Sequence, residues 1–341
     1  MQALPAARFF AHGAAINTLE PLGQGLINDT FKVIAGEDVF VLQRLNHHVF
    51  PEPVRIIDNW RCFSRYLPPK PALQLPELRA GIQGAWLYHT PQGEVWRAMN
   101  YIDAGQTLTT IQHAEHASAL GRALAHFHRL LADVPVERLK PTLANFHQTP
   151  VYVAAYEALA ATVPAASTDW RVAFCHDCIA RKKTFAKTLE NARNSGVLAT
   201  KIMHGDPKVD NFLFDRHSVK VIAMVDLDTV GPGLWHYDIG DCLRSLAGQD
   251  DGDFNIALAQ AFLTGYQAIN ALTDTEQALV PVAAELIPFE LGVRFFTDYL
   301  AGNRYFKITY PEQNLDRAVQ QLNISDAVPR HGAALGQRTR D

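Results

Sequence analysis

Four cysteines are scattered over 341 residues, at Cys62, Cys175, Cys178 and Cys242. That number and spacing supply no disulfide framework and suit a reducing compartment. The start, Met1 to Ala15, has no basic stretch followed by a long apolar run, so it does not read as a signal peptide. The longest apolar region, Ala278 to Val293, is broken by Glu285, Pro288 and Glu290, which excludes a bilayer span. No repeat or low-complexity tract stands out. Charge of neither sign dominates: 31 basic against 35 acidic side chains give a net charge of −4. That balance offers no footprint for nucleic acid. The expected location is cytoplasmic, with no membrane and no nucleic-acid partner. At 48% hydrophobic and 19% charged, the chain can bury a large core.

One segment carries most of the chemical information: His204-Gly205-Asp206-Pro207-Lys208-Val209-Asp210-Asn211. An Asp is followed five residues later by Asn, and Val225-Asp226-Leu227-Asp228 comes soon after on an apolar strand pattern. Phosphoryl transfer from ATP asks for this set: one carboxylate to take the proton of the attacking hydroxyl, and an amide oxygen and a second carboxylate for Mg²⁺. Asp206 is therefore the candidate base. Asn211 and Asp226 are the candidate metal ligands. Asp228, two residues on, faces the same side if the chain stays extended, where it touches a second metal or the acceptor; a surface or capping role is the alternative. His204 reads as a loop scaffold, because the template needs no histidine. Lys208 is the nearest cation that can neutralise the transferred phosphoryl group; a solvent-facing lysine is the alternative.

The blocks Leu22–Thr30, Phe40–Asn46, His204–Asn211, Val225–Gly233 and Gly292–Leu300 together resemble the aminoglycoside-phosphotransferase-type small-molecule kinases, a branch of the protein-kinase-like fold. Within that group the chain most resembles N-acetylhexosamine 1-kinases. The resemblance implies an α+β, two-lobed fold with a small mixed β-rich N-lobe and a larger, mainly helical C-lobe. The expected division is 1–98 for the nucleotide lobe, 99–105 for the hinge and 106–341 for the catalytic lobe. It implies ATP and Mg²⁺ as cofactors and a small-molecule sugar as acceptor, phosphorylated at its anomeric hydroxyl. A kinase for an aminoglycoside, homoserine or choline, or a catalytically inactive nucleotide- or sugar-binding protein, is the alternative.

The resemblance places Gly23, Gly25 and Asn28 in a phosphate loop, with Asn28 where a third glycine usually sits. It also exposes a departure. Protein kinases carry a phosphate-binding lysine on the following strand, and here Gln43 and Arg44 stand there. Adjacent strand residues face opposite sides, so only one of them points at the nucleotide without a bulge. Either Arg44 turns inward, with Asp58 as a possible mate, or another cation or a metal serves, or ATP binds more weakly. Met99 and Tyr101, at the hinge, are expected to meet adenine. Arg294 and Tyr305 are expected to hold the sugar: a multi-donor guanidinium and a ring that stacks on a pyranose. Trp235, His236 and Tyr237 either line the pocket or pack the loop. Asp238 and Asp241 resemble positions that steady the catalytic loop, with Arg244 near. Cys175-His176-Asp177-Cys178 lacks a second ligand pair and does not read as a zinc site.

Local patterns predict strands at Phe31–Ile34 and Val39–Leu42, a hairpin around Pro91-Gln92-Gly93, a helix after Pro53 and another from Ala114 to Leu131. Helices are expected over 151–195, with a break near Pro164, and from about 230 to 325, with a frayed end beyond.

Overall fold

A computed structural model of the chain describes residues 3–23, 25, 27–103, 105–162, 168–248 and 252–336. Gln24 and Leu26 of the expected phosphate loop, the break at Pro164 and the last five residues lie outside them.

A short helix α1 (Ala3–Phe10) opens the chain. Its Ala3, Ala6, Ala7 and Phe10 recur at helical spacing and are buried against the first sheet. The sheet is antiparallel: β1 (Thr18–Pro21), β2 (Asp29–Ala35), β3 (Asp38–Leu45) and β6 (Val95–Asn100) lie side by side, with β4 (Leu78–Arg79) and β5 (Tyr88–His89) on β6. Gly36, at φ +66°, makes the tight β2–β3 turn. Helix α2 (Val54–Phe63) follows Pro53, and its Asn59 bonds the backbone of Lys140 and Val230, reaching across to the larger lobe.

The first sheet ends at Asn100, and β7 (Gly105–Thr107) already belongs to a second sheet with β9 (Phe212–Asp215) and β10 (Val221–Met224). A third, two-stranded sheet pairs β8 (Lys201–Met203) with β11 (Gly231–Gly233). These small sheets frame the His204–Asp226 region. Around them pack α3 (Ala114–Leu130), α4 (Thr149–Ala160), α5 (Trp170–Lys182), α6 (Thr188–Asn194), α7 (Trp235–Ala247), α8 (Ile256–Ile269), α9 (Asp274–Ala278), α10 (Val280–Leu300), α11 (Gln313–Ala327) and α12 (Gly332–Gly336). Gly121 of α3 and Gly265 of α8 bring two helices into backbone contact; a Cβ on either would meet the other helix's carbonyl oxygen near 2 Å.

The expected strands and helices form, with two differences. The opening helix α1 was not expected, although its apolar spacing carries the signal. The C-terminal end is helical to Gly336 rather than frayed from about 330, because Leu335 is buried and Gln277 donates to its carbonyl. Among the described residues, no helix is long and apolar enough to cross a membrane.

Candidate active site

The loop after β8 is held by buried polar groups. Asp238, on α7, accepts from the backbone N–H of His204 (2.7 Å) and of Gly205 (2.8 Å), and from His128 Nε2 (2.8 Å). Burial alone would raise its pKa, but these donors hold its carboxyl below the ordinary value. His204 is fully buried; its Nε2–H donates to the Val225 carbonyl and its Nδ1 accepts from the Asp206 N–H. Both nitrogens are spent on backbone, and burial pushes its pKa down. It is a scaffold and not a proton shuttle. Gly205 sits at φ +90°, with room for no Cβ without crowding Phe146 and Thr229.

Asp206 is thereby presented into a cavity of about 320 Å³ between the lobes. Lys208 lies 3.4 Å from its carboxylate and lines the same cavity; the Asp206 charge holds the ammonium's pKa above its usual value. Asn211 donates through Nδ2 to the Asp206 carbonyl (2.7 Å), which leaves its amide oxygen free of these bonds. Asp226 is in left-handed backbone (φ 63°) at the end of β10 and lines the cavity too. Burial, with Asp228 and Asp206 beside it, pushes its pKa up to about 7. Among the described residues, no three His, Cys, Asp or Glu side chains cluster as a metal cage. The donor chemistry, one amide oxygen and one carboxylate in a cleft, fits Mg²⁺ that shares its remaining ligands with phosphates.

Asp228 does not follow the extended-chain expectation. The turn at Asp226 and the 3₁₀ turn Leu227–Thr229 rotate it toward the first sheet. It is buried and pairs with Arg97 of β6, while Asn28 donates to its other oxygen (2.9 Å). These bonds link the two lobes, and Asp228 also lines the cavity beside Asp206 and Asp226. Arg97 stands in register with Gln43, and its Nε donates to the Gln43 side-chain oxygen (3.0 Å). Gln43 lines the cavity, and the buried Arg97 contacts it from the neighbouring strand. Arg44 turns the other way. Its partners are Asp29 and Glu94, and Asp58 is exposed on α2; neither the inward Arg44 nor its pairing with Asp58 holds.

Gly25 and Asn28 line the cavity; Gly23, at φ +75°, shapes the preceding turn. Asn28 also accepts from the Asn46 N–H, so it ties the loop to β3. At the expected hinge, Met99 pairs with Val41 and Leu78, and the Asn100 N–H is already bonded to Glu77. Tyr101 carries the Lys32 ammonium 4.7 Å over its ring.

The opposite wall is built by α10, α11 and the segment between them. Asp298 accepts from the backbone N–H groups of Arg304, Tyr305 and Phe306 and from Asn314, which fixes Tyr305 and Phe306 against Arg294. The Arg294 guanidinium lies 5.1–5.9 Å from the rings of Phe146, Tyr152, Tyr305 and Phe306. Arg244 and Arg317 line the cavity as well. Lys307 bonds Asp29 (2.7 Å), a second link between this wall and the first sheet.

Trp235, His236 and Tyr237 do not line the cavity. Trp235 stacks on His128 and donates to the Ile202 carbonyl, His236 donates to the Glu276 carbonyl, and Tyr237 bonds Glu190; they pack the loop. Asp241 pairs with Arg244 (2.7 Å). Cys175 and Cys178 are buried in α5, where burial pushes both thiols up to about 12; they are inert. A wider cleft of about 660 Å³ lies between α3, α8 and β10, but it holds none of these groups.

The family model described as the phosphotransferase enzyme family matches residues 18–272. The chain belongs to that family. The fold agrees: a microcompartment-associated aminopropanol kinase superposes with a TM-score of 0.67 at 16% identity, covering 98% of this chain and 99% of that one. An amicoumacin kinase in complex with AMP-PNP and Ca²⁺ gives 0.63 at 16%, covering 94% and 92%. The chain is also 30% identical over 169 residues to a homoserine kinase of Xanthobacter autotrophicus, covering 49% of this chain and 47% of the relative. It thus spans about half the length of the curated relatives it matches.

Arg97, which joins Gln43 to Asp228, is not among the residues expected from the sequence. The available signal was a lone arginine inside the apolar strand run Val95-Trp96-Arg97-Ala98, all four buried.

Proposed function

We propose that the chain transfers the γ-phosphoryl group of ATP to a hydroxyl of a small, uncharged or zwitterionic molecule, first of all the anomeric hydroxyl of an N-acetylhexosamine. The observation that carries this reading is the shared cavity: Asp206 at one side, Arg294 and Tyr305 at the other. Asp206 takes the proton while the acceptor oxygen bonds to the γ-phosphorus and the bond to the ADP oxygen breaks. Lys208 offsets charge on the moving phosphoryl group. Arg97, in register with the strand position of the usual lysine, supplies positive charge toward the β- and γ-phosphates. Mg²⁺, held by Asn211 and Asp226, neutralises phosphate charge when bound. An anomeric hydroxyl is more acidic than an ordinary alcohol, so a carboxylate base suffices.

The cavity argues against polycationic acceptors. Lys208, Arg244, Arg294 and Arg317 line it, while Asp228, Asp238 and Asp241 are engaged by Arg97, the loop backbone and Arg244; the other acids of its lining, Asp206 and Asp226, are those assigned to the base and to Mg²⁺. An aminoglycoside meets like charge there. From Asp226 the chain passes through β11 directly into α7, with no long segment to seat a peptide. A second reading, homoserine as acceptor, is favoured by the homoserine-kinase relative, and a zwitterion is compatible with both charges in the cavity.

The test is ADP release with Mg·ATP against N-acetylglucosamine, N-acetylgalactosamine, glucose, homoserine, choline and kanamycin, with the product position read by phosphorus NMR. A sugar 1-phosphate supports the first reading, and phosphohomoserine the second. Kanamycin as the sole acceptor would sink both.

A further inference from the structure

His147 has no part in the transfer described above, yet it is built into the base's support. Its backbone is left-handed (φ 54°), and its side chain is buried. Nε2 bonds the carbonyl of Gly205 at 2.7 Å, and Nδ1 bonds the Glu290 carboxylate at 3.0 Å. Both partners are acceptors, so both ring nitrogens carry protons and the imidazole is a cation. The second carboxylate oxygen of Glu290 accepts from Thr149 Oγ1 at 2.6 Å. Every strong group in this cluster is therefore matched, as a buried charge pair requires. Gly205 immediately precedes Asp206. Glu290 lies on α10 one turn before Arg294, which lines the acceptor cavity.

We infer that His147 is a positioning residue: it fixes the Gly205 peptide and hence the direction of Asp206, and through Glu290 it locks the base to the helix that carries Arg294. The acceptor wall and the base are then one rigid body, so an acceptor seated on Arg294 meets Asp206 at a set distance. This rests on Asp206 as the base.

The test compares His147→Gln, whose amide N–H reaches the place of Nε2, with His147→Leu, which has no donor, and uses Asp206→Asn as control. Misplacing a reacting group by about 1 Å costs on the order of 100-fold in rate. With N-acetylglucosamine or homoserine as acceptor, His147→Leu should lose about that factor in kcat per active site, and His147→Gln should recover most of it; KM for ATP should not change in either. Hydrogen exchange, which needs no acceptor, should show faster exchange at the Asp206–Asn211 amides in His147→Leu than in His147→Gln. Equal exchange in the two variants, or equal kcat, would overturn the inference. If Asp206→Asn kept full turnover while His147→Leu lost it, the reading of the base would fail instead.

Discussion

Arg97 and Asp228 form a buried ion pair that joins β6 of the small lobe to the turn after Asp226. Both side chains are about 3% exposed, and Gln43 and Asn28 fill the remaining bonds.

Removing one member leaves an unpaired buried charge, which costs about 3–5 kcal/mol. Arg97→Met should therefore lower the midpoint of urea unfolding and weaken ATP binding. The double variant Arg97→Met with Asp228→Asn should regain stability but not nucleotide affinity. ATP affinity restored along with stability would show that Arg97 acts only as a clasp.

Arg294 is surrounded by four rings and, among the described residues, has no carboxylate within ion-pair distance. Tyr305 takes one hydrogen bond of the guanidinium, which has further N–H donors to offer an acceptor, and a bond to a charged group contributes about 1.5–3 kcal/mol. Arg294→Ala should raise the acceptor KM roughly 10- to 100-fold and leave the ATP KM within twofold. Equal changes in both would mean that the arginine only holds the fold.

Asp238→Asn places an amide donor against one of three existing donors: the His204 N–H, the Gly205 N–H or His128. The lost bonds and the clash should destabilise the protein by about 2–3 kcal/mol. Turnover should fall further than stability predicts, because the loop they hold carries Asp206. A variant with native turnover per folded molecule would separate α7 from the base.

Stability should also depend on pH in a way that identifies His147. Burial works against its charge, but Glu290 and the Gly205 carbonyl hold its pKa above 6.5. Its contribution is complete below pH 6.5 and is lost as pH rises through the folded pKa. His128, His204 and His236 are held below 6.5 by burial, so they cost stability only as pH falls beneath 6.5. Unfolding free energy measured from pH 6.5 to 8 should decline in the native protein, and the slope should be shallower in His147→Gln. An unchanged slope would mean that His147 is neutral in the folded state.

The parts of the site legible in the sequence were those whose geometry is set within a few residues. Asp206, Lys208 and Asn211 share one loop, and Asp226 follows the strand paired to it, so spacing alone carried them. Arg97 was hidden because strand register brings it to Gln43 from 54 positions away. The pairing of Asp228 with Arg97 and Asn28 has no local signal, because the left-handed turn at Asp226 overrides the two-residue alternation of a strand. Arg44 was ambiguous from alternation alone; only the cross-strand partners Asp29 and Glu94 decide which way it faces. The helix α1 was overlooked because its apolar face spans only two turns. Glu290 and His147 carry no motif, since their pairing depends on a long-range contact between α10 and the segment before α4.

The most direct measurement is a single-turnover phosphoryl-transfer assay on Asp206→Asn, run beside a nucleotide-binding titration. The account predicts transfer reduced by about a thousandfold or more, in keeping with the loss of a general base, with ATP affinity close to native. Transfer at a near-native rate would contradict it and remove Asp206 from the centre of the mechanism.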